Sequence, residues 1–364
     1  MKKYLIMLMV FIMWCTGLPV ATNYISENSV FLSDNAISEA ESIEVEKTQE
    51  SIFENSYTST FEETSVAEQA ESIIETEPVN TVRVYNYKTE EIIVMELEEY
   101  IVGTVYAEMP SSFEPEALKA QAIAVRSYIV HNILYGDRES GHPGADICTN
   151  PAHCIAYTTI DEVIEKYGEV FAEESFNIIR QAVEETKDLI MTYDGEVINS
   201  VFHASSCGFT ESCADVWGGD LPYLVSVSTP DESSFYSYYG KMTFTADEFK
   251  SKFASYQCDF SGSIYNWIKN IETNSIGRCE SVDVGGVTIS GNTLRELFGL
   301  KSTKIKITIN FDNIIFETEG YGHGVGMSQY GANVMAEAGK TYEEILKHYY
   351  TDVELEEISL EWFK

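Results

Sequence analysis

Glu108 is the residue of this chain that is best placed to do acid chemistry. It stands at offset 11 from Leu97, in line with a stripe of apolar or small side chains at offsets 0, 3, 4, 7 and 8, which are Leu97, Tyr100, Ile101, Thr104 and Val105. A carboxylate held against apolar side chains is hard to ionise, so its pKa rises toward neutral pH. The pattern predicts a general acid. The alternative is a carboxylate in the last helical turn that bends into solvent, or pairs with Arg126, and does no chemistry.

A second group with chemical potential lies in a polar stretch with little hydrophobic periodicity. His142, Cys148, His153 and Cys154 follow the spacing H-x5-C-x4-H-C. Two imidazoles and two thiolates suit tetrahedral zinc, although scattered His and Cys residues in a loop are often incidental. Four protein ligands would leave no position for water, so we expect a structural Zn²⁺ that fixes this loop rather than a hydrolytic one.

The third group is the glycine-rich run EGYGHGVGMSQYGA, which starts at Glu319. Its alternating glycines allow close backbone approach, and Ser328 can cap the helix that follows. The spacing is not that of a dinucleotide-binding loop, and no parallel βαβ pattern surrounds it. The simplest interpretation is a tight strand-to-helix turn in which His323 bonds to the backbone.

Two predicted helices position Glu108. The first starts near Leu97, and the second follows a Met-Pro-Ser-Ser corner, with Ser111 or Ser112 as its expected cap and Pro115 in its first turn. Alanines crowd the second helix, which predicts burial on more than one side. A strand pair, TVRVYNY and EEIIVME, precedes the helices, and the Asp194-Gly195 dipeptide predicts a hairpin further along the chain. These patterns predict both helices and antiparallel strands in the folded part of the chain.

Composition divides the chain into four parts. Residues 1–22 form a short apolar leader behind two lysines, which we interpret as a signal anchor or signal peptide, with an uncleaved anchor preferred. Residues 23–78 carry fourteen acidic side chains against one lysine, and this composition is typical of a disordered linker. The catalytic domain is expected over residues 79–355, followed by a tail over residues 356–364. An anchored chain of this kind would hold the domain on the extracytoplasmic side of the cell membrane, or be secreted if the leader is cleaved.

The charge balance excludes one large class of partner. The formal net charge is −36, from 59 acidic and 23 basic residues. Nucleic-acid binding needs clustered Lys and Arg, so we expect no nucleic-acid partner. Four further cysteines, Cys207, Cys213, Cys258 and Cys279, allow either two disulfides or free thiols.

Two of these motifs resemble a known family. The run AEMPSSFEPEALKAQAIAVRSY and the glycine-rich GHGVGMSQYGA are similar to signatures of the stage II sporulation protein D family, whose members act on bacterial cell-wall glycan. The resemblance implies an α+β fold, a single catalytic domain with central helices packed against antiparallel strands. It also implies that Glu108 is the catalytic acid of a lytic transglycosylase that cleaves peptide-stripped peptidoglycan strands. It also implies that His323, Ser328 and Gln329 position substrate, and that the His/Cys loop binds zinc, as it does in some members. Arg126 is expected to orient Glu108 or a lactyl carboxylate if it faces the cleft.

The resemblance also implies partners and a process. Members of this family act during engulfment in sporulation, together with an amidase, stage II sporulation protein P, and a membrane protein, stage II sporulation protein M. Some relatives are instead non-catalytic enhancers of a cell-wall amidase, and this remains the alternative function.

Overall fold

The computed structural model describes residues 81–136, 142 and 144–358. The predicted leader and linker lie outside these residues, as does most of the predicted tail. Nine α-helices occur in the described ranges: Leu97–Glu108, Pro115–Tyr135, Ile160–Tyr167, Glu169–Glu185, Cys213–Trp217, Ala246–Lys252, Gly291–Phe298, Gln329–Glu337 and Tyr342–Tyr349. A 3₁₀ turn spans Ile264–Asn266.

Within the described residues, the strands form five small sheets, which are mostly antiparallel. The first sheet contains Thr81–Asn86, Glu91–Glu96 and Ile147–Cys148, and the second contains Leu189–Tyr193, Glu196–Val197 and Glu354–Glu357. The third sheet contains Phe202–His203 and Met327–Ser328. The fourth contains Tyr239–Thr245, Ile305–Asn310 and Asn313–Glu319, and the fifth contains Ile268–Thr273, Cys279–Val284 and Val287–Ser290. Helices and antiparallel sheets together confirm the α+β class. The Asp194-Gly195 hairpin is confirmed as well, with both residues at positive φ (50° and 78°) as a tight two-residue turn requires.

The helices Leu97–Glu108 and Pro115–Tyr135 lie at the centre of the larger hydrophobic core. The alanines of the second helix are buried, as predicted, and the helix contacts the first helix, the helix Glu169–Glu185 and the helix Gln329–Glu337. Gly103 allows a further close approach, because a Cβ there would lie 2.6 Å from the carbonyl oxygen of Thr158. The loop that carries the predicted metal ligands therefore runs directly against the helix that ends in Glu108.

A second, separate core occupies the segment between Tyr239 and Glu319. It is aromatic, with Phe249, Phe253, Phe298 and Phe316 all buried. The segment's first and last residues, Tyr239 and Glu319, are paired with each other in one sheet, so the chain enters and leaves this core at one place. The sequence analysis did not predict that this segment would form a core of its own.

One local expectation is corrected and one choice between alternatives is decided. Neither Ser111 nor Ser112 caps the second helix, which begins after Glu114 without any side-chain cap and uses Pro115 instead. All four remaining cysteines, Cys207, Cys213, Cys258 and Cys279, are free thiols. Among the residues that the structure describes, no helix is both long enough and apolar enough to cross a membrane.

Candidate active site

Glu108 is the last residue of its helix and lines a cavity of about 540 Å³. Two donors hold its carboxylate. The backbone N–H of Ala156 donates to Oε1 at 3.2 Å, and Gln329 Nε2 donates to Oε2 at 3.2 Å. The structure thus brings Gln329 of the glycine-rich motif to Glu108 across 221 positions of sequence.

The surroundings of Glu108 favour its protonated form. Burial raises the pKa of Glu108, and the hydrogen bonds from Gln329 and Ala156 only partly offset that rise. Both donors are neutral, so they stabilise the carboxylate less than a cation would. The arrangement is suited to a group that donates a proton into the cavity.

His323 lines the same cavity and is held in one tautomer. The backbone N–H of Val325 donates to its Nδ1 at 3.1 Å, so the ring proton of the neutral imidazole is on Nε2. Burial, followed by the positive charge of Arg295, lowers the pKa of His323 to about 4. His323 is therefore a neutral polar group at neutral pH and contributes no charge to the cavity.

The glycines of this loop are needed because other groups fill the space of a side chain. Gly326 has φ 73°, and a Cβ there would lie 2.0 Å from the carbonyl oxygen of Val201. Gly324 has φ 87°, and its Cβ would meet the Arg278 guanidinium at 2.9 Å. The tight turn predicted from the sequence is thus a close contact with both a neighbouring strand and the second core.

Ser328 is fully buried and does not line the cavity. Its hydroxyl accepts from the N–H of Gly331 at 3.2 Å, which confirms the predicted helix cap, and donates to Oε2 of Glu232 at 2.8 Å. The expected contact of Ser328 with substrate is therefore replaced by a supporting one, since Ser328 fixes the first turn of the helix that carries Gln329.

Arg126 is also not brought to the cavity. Its side chain is 0% exposed, and it binds the Glu98 carboxylate through two hydrogen bonds of 2.9 Å and 2.6 Å. It also donates to the carbonyl oxygens of Leu189 and Val183. The predicted orientation of Glu108 or of a substrate carboxylate is corrected, because this guanidinium is committed to structural contacts in the core.

His142, Cys148, His153 and Cys154 come together as predicted. Their candidate ligand atoms all lie within 4.8 Å of one another, and Cys154 Sγ is 3.3 Å from His142 Nε2 and 3.2 Å from His153 Nδ1. A tetrahedral zinc with Zn–S of about 2.3 Å and Zn–N of about 2.0 Å would separate its ligands by roughly 3.3 to 3.8 Å. The cluster therefore fits a metal ion of this kind in both ligand type and spacing.

The metal cluster and Glu108 lie on the same wall of the cavity. Cys148 is anchored by the parallel pairing of its strand with Tyr85, and His153 and Cys154 themselves line the cavity. Two residues after Cys154, Ala156 presents its N–H to Glu108. A metal held by this cluster would thus fix the backbone that supports the acid.

Sequence reasoning missed three side chains near this site. His203 lines the cavity, donates from Nδ1 to the Val325 carbonyl and accepts at Nε2 from the Ser206 hydroxyl at 2.6 Å. Trp217 lines the cavity with half of its surface exposed. Glu232 is buried behind Ser328, and burial raises its pKa to about 8. No local pattern marks these residues, because each is defined by contacts distant in sequence.

This chain is similar to known proteins of bacterial sporulation. A family profile described as Stage II sporulation protein matches residues 85–193, which include Glu108, the metal cluster and the first part of the larger core. The chain is 33% identical over 294 residues to stage II sporulation protein D of Bacillus subtilis, covering 81% of this chain and 84% of that protein.

Two further relatives differ from each other in sequence identity and in the share of their own length that this chain covers. Stage II sporulation protein D of Bacillus amyloliquefaciens is 34% identical over 289 residues, covering 79% of this chain and 82% of the relative. The amidase enhancer of Bacillus subtilis is 27% identical over 299 residues, covering 68% of this chain and only 39% of that larger protein.

Proposed function

Because this chain belongs to the stage II sporulation protein D family, we propose that it is a lytic transglycosylase of the bacterial cell wall. Its substrate would be peptidoglycan strands stripped of stem peptides, cleaved between N-acetylmuramic acid and N-acetylglucosamine. The observation that carries this proposal is the placement of Glu108 inside a cleft, where burial raises the pKa of its carboxyl group and two neutral donors offset that rise only in part.

The proposed reaction needs one carboxyl group in two roles. Glu108 gives its proton to the glycosidic oxygen, the bond to C1 of muramic acid breaks, and that sugar passes through an oxocarbenium-like state. The Glu108 carboxylate then accepts the proton of the C6 hydroxyl as that oxygen bonds to C1. The products are a 1,6-anhydro end and a free 4-hydroxyl, and Glu108 is protonated again.

The composition of the cavity supports this chemistry over hydrolysis. Glycoside hydrolases ordinarily use two carboxyl groups, about 5 to 9.5 Å apart. Among the described residues that line the cavity, Glu108 is the sole Asp or Glu. A mechanism in which the substrate's own hydroxyl is the nucleophile requires no second carboxylate.

Zinc is proposed as the metal of the His/Cys cluster, held by His142, Cys148, His153 and Cys154. Bound there, it would supply a structural cross-link, because four protein ligands complete its tetrahedral shell. The chain's own contribution is to carry Ala156 from that cross-link to Glu108. Elemental analysis of the purified protein tests the metal. Cys148→Ser should then lower the melting temperature and the activity together, whereas lost activity with unchanged melting behaviour would contradict a structural role.

The biological setting is proposed from the family. It comprises septal cell-wall remodelling and engulfment in sporulation, with stage II sporulation protein P as the partner amidase and stage II sporulation protein M as a membrane partner. The domain would face the extracytoplasmic side of the membrane on an N-terminal anchor. Similarity to an amidase enhancer favours one second function, in which the chain binds glycan without cleaving it and stimulates an amidase.

The decisive test is digestion of peptide-free glycan strands followed by mass spectrometry of the products. Wild-type protein should release 1,6-anhydro ends, and Glu108→Gln should reduce that rate by about 10²- to 10⁴-fold, the usual contribution of a general acid. Glu114→Gln is a matched control, since Glu114 is exposed at the next corner of the chain and caps nothing with its side chain. Anhydro product from Glu108→Gln at the wild-type rate would refute the assigned role. A wild-type protein that makes none but accelerates an amidase would favour the enhancer.

A further inference from the structure

Trp217 is a large aromatic side chain left half exposed inside the cavity that contains Glu108. Its exposed fraction is 50%, and its ring centroid lies 5.0 Å from that of His323, at an interplanar angle of 49°. Other strongly exposed aromatic residues, such as Phe311 (81%) and Tyr236 (88%), do not line this cavity. Because an exposed indole keeps apolar surface in water, a ligand that covers it would gain from burial.

The backbone that carries Trp217 is fixed before any ligand arrives. Its helix, Cys213–Trp217, is capped at the start by the Ser212 hydroxyl, which accepts from the N–H of Asp215 at 3.1 Å. It ends at Gly218 in the left-handed region (φ 75°). A side chain of the second core, Asn292, donates to the Val216 carbonyl at 3.4 Å. Both ends of this short helix are thus held, so ordering the platform costs little on binding.

We infer that Trp217 is a carbohydrate-binding platform, on which a sugar ring of the glycan stacks beside the linkage that Glu108 cleaves. This inference rests on the proposed function and adds a binding subsite to it. The C–H groups on one face of a pyranose are apolar, and an indole face is the side chain that covers such a surface best. The neutral His323 ring packs against the indole and adds no charge beside it, which suits an uncharged sugar ring.

The binding test uses Glu108→Gln protein, so that no ligand is consumed, and a soluble β-1,4-linked N-acetylglucosamine oligomer in calorimetric titration. Adding Trp217→Ala should weaken binding by about tenfold, because the variant lacks the apolar surface that the sugar ring would cover. Trp217→Phe should retain most of the affinity. Phe311→Ala, at an aromatic residue outside the cavity, should leave the affinity unchanged.

A fluorescence measurement keeps the inference testable if Trp217→Ala does not fold. Covering a half-exposed indole should shift its emission to shorter wavelength when the oligomer binds, and Trp217→Phe should abolish that shift while binding persists. The other three tryptophans, Trp14, Trp267 and Trp362, are present in both proteins, so the emission change that depends on Trp217 is the difference between them. Undiminished affinity in a folded Trp217→Ala variant, or a full emission shift in Trp217→Phe, would overturn the inference.

These outcomes are separable from failure of the proposed function. Trp217-dependent oligomer binding by a protein that releases no anhydro ends would overturn the lytic activity and leave the platform standing. Anhydro release with binding that ignores Trp217 would do the reverse. A Trp217 effect on amidase binding, with none on the oligomer, would assign this ring to a protein partner and overturn the inference.

Discussion

The two ends of the helix Leu97–Glu108 hold glutamates in opposite surroundings. Near its start, Glu98 faces the guanidinium of Arg126, with two short hydrogen bonds and a side chain that is 26% exposed. At its end, Glu108 faces an amide and a backbone N–H, and burial raises its pKa. Both residues are glutamates on one helix, so the difference between them comes from their partners.

This difference separates Glu98, a carboxylate that stabilises the fold, from Glu108, a carboxyl group that is suited to acid catalysis. A buried cation stabilises the ionised form of its partner, and removing either member leaves a charge that is costly to bury. Neutral donors orient a carboxyl group but do not force it to ionise. Variants at each end should therefore affect different properties of the protein.

The largest expected effect is at the Arg126 end. Arg126→Met should lower the free energy of unfolding by about 3 kcal/mol or more, because Glu98 loses its cation and two core carbonyl groups lose their donor. Chemical denaturation measures this loss. The folded fraction should keep its rate of anhydro release, since Arg126 does not line the cavity.

A surface ion pair provides the control for that measurement. Lys340→Met removes a half-exposed pair with Glu344 and should cost about 0.5 kcal/mol or less. A similar small loss for Arg126→Met would remove the distinction between the two ends of the helix.

An intermediate effect is expected at the Glu108 end. Gln329→Leu removes a hydrogen bond to the carboxylate, an interaction worth about 1.5 to 3 kcal/mol when one partner is charged. The pKa of Glu108 should then rise further. Since a general acid works while protonated, the rate falls as pH rises through this pKa, and that limb of the pH–rate profile should move to higher pH. Gln181→Leu, which removes an exposed amide bonded to Glu185, should leave the profile in place.

The smallest expected effect is a gain in stability from Glu108→Gln. At neutral pH, the unfolded chain has released the Glu108 proton, whereas the folded protein must retain it or bury a charge, so the wild type is destabilised relative to the variant. The gap should close as pH falls below 4.5, the ordinary pKa of the group, because the carboxyl group is then protonated in both the folded and the unfolded state. Denaturation of both proteins across pH tests this sign, and the contribution of Glu232, with a pKa of about 8, cancels because both proteins contain it. In the variant, the amide nitrogen faces one of the two N–H donors, which adds a cost that does not depend on pH. A difference in stability between the two proteins that stays constant across pH would contradict the raised pKa.

What the sequence predicted correctly was local. The helix stripe that contains Glu108, the hairpin at Asp194-Gly195 and the Ser328 cap each depend on residues a few positions apart. The metal cluster was also predictable, because its four ligands lie within 13 positions and their chemistry is specific. Periodicity and ligand type carry this information without knowledge of the fold.

What the sequence did not predict depends on long-range packing. Arg126 and Glu98 are 28 positions apart, and nothing in either neighbourhood marks the pair. Ala156 acts through its backbone N–H, which every residue except proline possesses. Trp217 is defined by the cavity beside it rather than by its neighbours in sequence. The family signatures located the Glu108 corner and the glycine-rich loop, and only the fold showed that Gln329 is the point where the two meet.

The paired ends of the second core, Tyr239 and Glu319, have a consequence for how this protein can change during evolution. A segment whose termini sit side by side can be lengthened, shortened or exchanged by recombination without stretching the rest of the chain. Three side chains of the segment limit that freedom. Arg278 packs on Gly324 and pairs with Glu211, Asn274 donates to the same carboxylate, and Asn292 donates to the Val216 carbonyl. A replacement segment would have to recreate such contacts, and we expect these three residues to be among the last that drift can alter.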